Sequence, residues 1–422
     1  MSLLLKNSIL DAFHAPRIPL KNFFCPNHPE VYLIPKKDYF SVVDDFGDSI
    51  GFFQLPMFFS SFNFYVDLEK EDGVFSALYH EPKFHRLGGI NQLGFLCSPK
   101  PESASEQTKI FYYLPQFPHT RWGHSLLTGI LAELVLTRND FSKTERDSFV
   151  LTAACHDIAM PAGGDSVIRV DPKNLSEENN FRLVMEKDGL VARLAKQFGF
   201  DILEAANWVH NLGPNGKLLD ALDKIAYTTQ DACYYALYTP GGRVYQYCCQ
   251  HRFVMDVWQD ILFDGKDVWF ACSSRLFDFL LLRAYMHCDI YLNPRSRALD
   301  YVLYNQVRKH YAPEMRDQLL SWDDKQLQLW LEQKGEDSGI LSPDDLSWKK
   351  FESEKEANDF AARVPKLSHT DHVKPFKTGL DWLVANGKKR TQLRFVLPKS
   401  KVVQLESLSK RHAGWYVYYY QN

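Results

Sequence analysis

The chain has 422 residues, a net charge of −3, 45% hydrophobic and 14% aromatic residues. That composition excludes disorder and supplies enough apolar side chain for a large core. The small net charge excludes the global field of a protein built to bind nucleic acid. Eight cysteines are scattered without a C-x-x-C and read as reduced thiols. The apolar run in "MSLLLKNSILDAF" is too short for a secretory signal, and no stretch reaches the length of a membrane span. The expectation is a cytoplasmic protein with no membrane attachment.

Residues 1 to about 75 alternate short Phe-, Tyr- and Val-rich runs ("EVYLIP", "YFSVVDDFGDSIGFF") with turn residues, which predicts strands. "SPKPESASEQTK" (98–109) reads as an exposed loop. From Trp122 the period changes. "WGHSLLTGILAELVL" places apolar residues three and four apart and predicts a buried helix. "SKTERDSFVLTAAC" predicts a second helix, opened by a capping box of Ser142 and Glu145. Further helices are predicted at 177–198, 201–210, 218–238, 274–291, 295–310 and 315–335. From Val364 to Asn422 there are eleven Lys and Arg against three acidic residues, ending in the strand-like "GWYVYYY". The predicted fold is mainly α. A helical core over 76–335 follows a β-rich segment (1–75) and precedes a separate, basic α/β appendage (336–422).

The chemistry starts at "VLTAACHDIAMP", where His156 and Asp157 follow an apolar helix. His124 lies near the start of the preceding helix, and two helices joined by a short turn pack antiparallel, so the two imidazoles meet at one end of the pair. Downstream, "LLDALDKIAYTTQDACYY" puts Asp223, Tyr227 and Asp231 four residues apart on one helix face. His124, His156, Asp157 and Asp223 form a candidate metal site. Two neutral imidazoles and two carboxylates suit a divalent ion such as Mn, Fe, Zn or Mg. The bland alternative is a set of hydrogen-bonded core histidines and surface carboxylates. Against it, all four residues come from otherwise apolar segments, where an unpaired charge is costly.

Five blocks carry a family resemblance: "KFHRLGGINQLG" (83–94), "FPHTRWGHSLLTG" (117–129), "CHDIA" (155–159), "LDKIAYTTQDA" (222–232) and "LLRAYMHCDIYLNPRSRALDYVL" (281–303). In this order they resemble the HD superfamily of metal-dependent phosphohydrolases. The resemblance is closest to its dGTPase and SAM-and-HD-domain dNTPase branch and spans roughly 80–310. It implies an HD-domain helical core and hydrolysis of a deoxynucleoside triphosphate with release of triphosphate. It also implies the metal ligands just named. Arg121 would hold the α-phosphate, and Lys224 and Arg283 the polyphosphate. Gln92 and Asp231 would bind the sugar 3′-hydroxyl, with Leu93 at the same wall and Tyr227 and Tyr291 lining the sugar pocket. Such enzymes often form homo-oligomers.

The pattern departs from the family after the HD pair. Met160 and Asp165 in "HDIAMPAGGDSV" stand where histidines are usual, and Glu178 of "SEENNFRL" stands at a second family histidine. A carboxyl can act as general acid when burial or a neighbouring carboxylate raises its pKa, which makes Asp165 and Glu178, beside Asp157, candidate catalytic residues. Three outcomes stay open: a nucleoside triphosphatase, an HD-type 5′-nucleotidase, or a nucleotide- and metal-binding sensor or scaffold without turnover. A reading of another class is weak nucleic-acid binding by the appendage, where "NGKKRTQLRF" mixes cations with an aromatic.

Overall fold

A computed structural model describes residues 73–92, 119–139, 141–238, 242–251, 254–336, 346–364 and 368–420, together with the strand backbones of 31–35, 52–55 and 62–67. Leu93 and the 98–109 segment lie outside the described residues. The three early strands, β1 (Val31–Pro35), β2 (Phe52–Leu55) and β3 (Phe62–Asp67), form an antiparallel sheet in the order β1-β3-β2. The rest is mainly α, as the sequence predicts.

Two helices set the frame of the core. In α1 (Arg121–Arg138) residues 123–136 are all buried, as its apolar spacing requires. The following α2 (Lys143–Cys155) opens with the predicted capping box, in which Ser142 and Glu145 bond each other's backbone N–H. Gly129 permits their close packing. A Cβ there would sit 2.9 Å from the Ala154 methyl and 3.0 Å from the Phe75 ring. That approach brings His124 at the start of α1 to His156 just past α2.

The remaining helices at the site are α3 (Gly164–Ile168), α4 (Glu177–Glu186), α5 (Gly213–Tyr238), α6 (Ser273–Met286) and α7 (Pro294–His310). The predicted helix over 177–198 is broken. Asp188 and Gly189 adopt left-handed conformations (φ 61° and 70°), so α4 ends before a new helix, Leu190–Phe198. Past α6 the chain continues as a π turn, His287–Tyr291. The 315–335 region holds two short helices, Arg316–Leu319 and Asp324–Gln333.

The described residues of 346–420 pair and pack with the helical region. Inside the helical region lie β4 (Ile261–Phe263) and β5 (Val268–Phe270), which the sequence reading missed. A two-stranded hairpin has an open edge that needs a partner. That partner is β8 (Leu383–Asn386), parallel to β5 and followed by β9 (Lys389–Gln392) in a β4-β5-β8-β9 sheet. Leu380, Val384, Leu393 and Leu405 join the same hydrophobic cluster as Phe277 and Leu280 of α6. A last antiparallel sheet pairs β6 (Leu346–Phe351), β10 (Gly414–Tyr420) and β7 (His369–Val373) in the order β6-β10-β7. It packs on α7 through Tyr301, Tyr416 and Tyr418. Among the described residues no helix is long and apolar enough to cross a membrane.

Candidate active site

His124, His156, Asp157 and Asp223 converge from α1, the end of α2 and α5. The Nε2 atoms of His124 and His156 are 3.2 Å apart. Asp223 Oδ1 lies 3.0 Å from the first and 3.4 Å from the second. The Asp157 oxygens lie 3.5 Å from His156 Nε2 and 3.7 Å from His124 Nε2. Donor–metal bonds of about 2.1 Å at a tetrahedral ion put neighbouring donors about 3.4 Å apart. The observed spacings bracket that value, and His124, His156 and Asp223, whose donor atoms all lie within 4.8 Å of one another, suit a divalent cation, with Asp157 beside them.

The charges explain why these groups sit together. His156 Nδ1 donates to the Ala153 carbonyl (2.7 Å), which turns Nε2 toward the cluster. Burial opposes the charged imidazole of His156, but Asp157 and Asp223 outweigh it and lift its pKa to about 9. Burial likewise opposes the carboxylate of Asp223, yet hydrogen bonds from both histidines hold it well below the usual range. Asp157 is also lowered, against its burial, by His156 and Arg121. Without an ion the cluster retains a proton that a metal would displace.

Arg121 stands one helical turn before His124. Its guanidinium donates to Asp157 Oδ2 and to Asp165 Oδ2, both at 3.0 Å. It is buried, and those carboxylates, with Glu177 nearby, keep it charged far above its already high pKa despite desolvation. The three carboxyl groups on this wall divide their roles. Asp165 is committed to Arg121. Glu178 accepts from the Ser176 hydroxyl at 2.5 Å. Glu177 is the shifted one: burial and the charges of Glu178, Asp157 and Asp165 push it up to about 8. The sequence reading names Asp165, on α3, and Glu178 as candidate general acids, and Glu177 directly precedes Glu178 at the start of α4.

The cluster opens into a cavity of about 490 Å³. At its far end Asp231, buried at the middle of α5, accepts from His119 Nε2 (2.9 Å) and from the Tyr291 hydroxyl (2.6 Å). His119 stacks on Tyr234 with centroids 3.7 Å apart. Gln92 lines the cavity, and its side-chain oxygen is buried without a hydrogen-bond partner among the described residues. His287 also lines it, held between Phe376 (centroids 4.4 Å) and Tyr291 (5.0 Å), and neither of its ring nitrogens has a hydrogen-bond partner among the described residues. Burial, helped by Arg283, keeps this imidazole neutral.

Two predicted phosphate cations stand off the cavity wall. Lys224 pairs with Asp220 one turn earlier on α5. Arg283 donates to the Tyr227 hydroxyl (2.9 Å) and the Lys377 carbonyl (2.8 Å). Tyr227 and Tyr291 both line the cavity, edge to face with centroids 6.1 Å apart. The sequence reading missed His119, His287, Glu177 and Asp220. The two histidines were present in the matched blocks, four residues before Tyr291 and two before Arg121. Their spacing carried the signal that they face the site.

The loop after the HD pair is held from outside the site. Arg86, half-buried, donates to the carbonyls of Ile158 (2.9 Å), Met160 (2.8 Å) and Trp322 (2.8 Å). These take up carbonyls of connecting segments, the loop after α2 and the turn before the Asp324–Gln333 helix, which need a partner away from water. The Asp324 carboxylate receives the N–H of Asn91 (2.9 Å) and of Gly163 (2.8 Å), tying the Gln92 segment to the start of α3.

No protein-family model matches the sequence, and no curated protein matches it by sequence. Solved structures do match the fold. A hypothetical protein from Aquifex aeolicus superposes with a TM-score of 0.60 at 16% identity, over 87% of this chain and 96% of that one. A phosphohydrolase from Bacteroides thetaiotaomicron superposes with a TM-score of 0.61 at 15% identity, over 88% of this chain and the whole of that one. The chain therefore shares the fold of a phosphohydrolase, and at these identities the likeness is one of fold.

Proposed function

We propose that the protein is a divalent-metal-dependent phosphohydrolase acting on nucleotides, a deoxynucleotide first. One observation carries this reading: two histidines and two aspartates meet at metal-ligand spacing beside a buried arginine, at the mouth of a ligand-sized cavity. A divalent cation held there would supply a nucleophilic water near neutral pH and polarise the phosphoryl oxygen. The nitrogen donors favour Mn, Fe or Zn over Mg, which prefers oxygen ligands.

The chain's own residues would do the rest. Arg121 presents a fixed guanidinium to a phosphoryl oxygen once Asp165 yields it. Glu177 keeps its proton to about pH 8 and is the carboxyl able to donate to a leaving oxygen. At the far end the unpaired Gln92 oxygen and Asp231 suit a sugar hydroxyl, and the walls of Tyr227 and Tyr291 limit the space beside it. The test is metal analysis of the purified protein, then incubation with a ribo- and deoxynucleotide panel and chromatography of products. Protein that holds a metal, binds a nucleotide and releases no product would instead be a sensor. Protein that holds no metal at all sinks both readings.

A further inference from the structure

Resting on the phosphohydrolase reading, we infer that the cavity takes a nucleotide bearing a single phosphate, a nucleoside monophosphate, in preference to a triphosphate. Volume does not decide this, since about 490 Å³ lies in the ordinary range for ligand cavities. Charge does. Beyond the donor cluster, the wall carries Asp165, Glu177, Glu178, Asp220, Asp231 and Asp300. Only two arginines on it answer them: Arg121, bonded to Asp157 and Asp165, and Arg169, 3.2 Å from Asp300.

A cation bound by His124, His156, Asp157 and Asp223 is neutralised by its own two carboxylates. One phosphoryl group can be met by that cation and by Arg121. Among the described residues a second and third would find on the wall only Arg169, already paired with Asp300. Lys224 is turned onto Asp220, and Arg283 is spent on the Tyr227 hydroxyl and the Lys377 carbonyl, so neither faces the cavity. A phosphate monoester carries about two charges at neutral pH, and each further phosphoryl group adds at least about one more. Placed beside the five carboxylates of Asp165, Glu178, Asp220, Asp231 and Asp300 in a half-enclosed cleft, that extra charge is repelled.

The experiment compares mono-, di- and triphosphates of the four deoxynucleosides on metal-loaded protein. Turnover is followed by chromatography, and affinity is read by calorimetry with a non-hydrolysable analogue of each. The expected result is a kcat/KM and an affinity for the monophosphate at least about tenfold above those for the triphosphate. Equal or better use of triphosphate, with triphosphate released, overturns the inference and leaves the phosphohydrolase reading standing. If no nucleotide turns over, that reading fails, and the calorimetric ranking alone decides the inference: triphosphate analogues binding as tightly as monophosphate ones overturn it. Asp220→Asn frees Lys224 toward the cleft and should raise use of triphosphate relative to monophosphate at least about threefold. A ratio unchanged by that substitution overturns the charge argument.

Discussion

The two ends of the cavity are built on opposite plans. At the donor cluster, like atoms face one another: two imidazole nitrogens stand 3.2 Å apart with carboxylates pressed close, and the pKa values of His156 and Asp223 are pulled far apart. That end holds unmet charge. At the other end the polar groups satisfy one another, with Asp231 bonded by both His119 and Tyr291. Among the described residues that end leaves the Gln92 oxygen, His119 Nδ1 and the His287 ring nitrogens open. The difference separates a cluster of like donors pressed together from a hydrogen-bonded framework with a few open atoms.

The sharpest way to break this contrast is at the charged end. His156→Ala with Asp223→Ala should remove bound metal, measured by mass spectrometry, and lower turnover by about 10³-fold or more. Full metal content in that double variant would refute the ligand assignment. Arg121→Ala separates the cation from the phosphate: metal content should stay, while kcat/KM drops about 10²–10³-fold. Loss of metal there would mean Arg121 serves only to hold Asp157.

Arg86 sharpens the comparison from another direction, as a half-buried arginine that meets three carbonyls away from the cavity. Arg86→Ala should destabilise the fold by about 3 kcal/mol in urea titrations, whether or not metal is present. A change in KM with stability intact would contradict its purely structural placement. At the hydrogen-bonded end, His119→Gln retains a donor to Asp231 and His119→Ala does not. The alanine variant should raise KM about tenfold with metal content unchanged, and the glutamine variant should recover much of that loss. Equal loss of metal in both would show that the two ends are not independent.

The smallest effect concerns pH. Glu177 has a folded pKa of about 8, above its unfolded value of about 4.5. Below the unfolded value it is protonated in both states and contributes no difference. Between the two values the unfolded chain gives up the proton and the folded protein keeps it, so stability falls as pH rises. In metal-free protein Glu177→Gln should be neutral near pH 4 and stabilising by on the order of 1 kcal/mol at pH 9. Thermal melts at the two pH values read the sign, and a pH-independent effect would remove Glu177 from the charged wall.

Much of this was legible in the residues alone. Helical spacing put Asp223, Tyr227 and Asp231 on one face, the Ser142–Glu145 pair marked the start of α2, and the short turn placed His124 against His156. Those inferences concern neighbours within one helix or one hairpin of helices, where a period of 3.6 residues and a short connection leave little freedom. Pairing between distant segments was decided only by packing. Nothing local states that Asp165 will face Arg121 or that Arg283 will bond the Tyr227 hydroxyl. Nor does it state that β8 will close the edge of β5 more than 100 residues earlier. Where each helix starts and which residues share its face are short-range properties of the chain, while the charge balance of the site is set by which side chains the tertiary fold brings face to face.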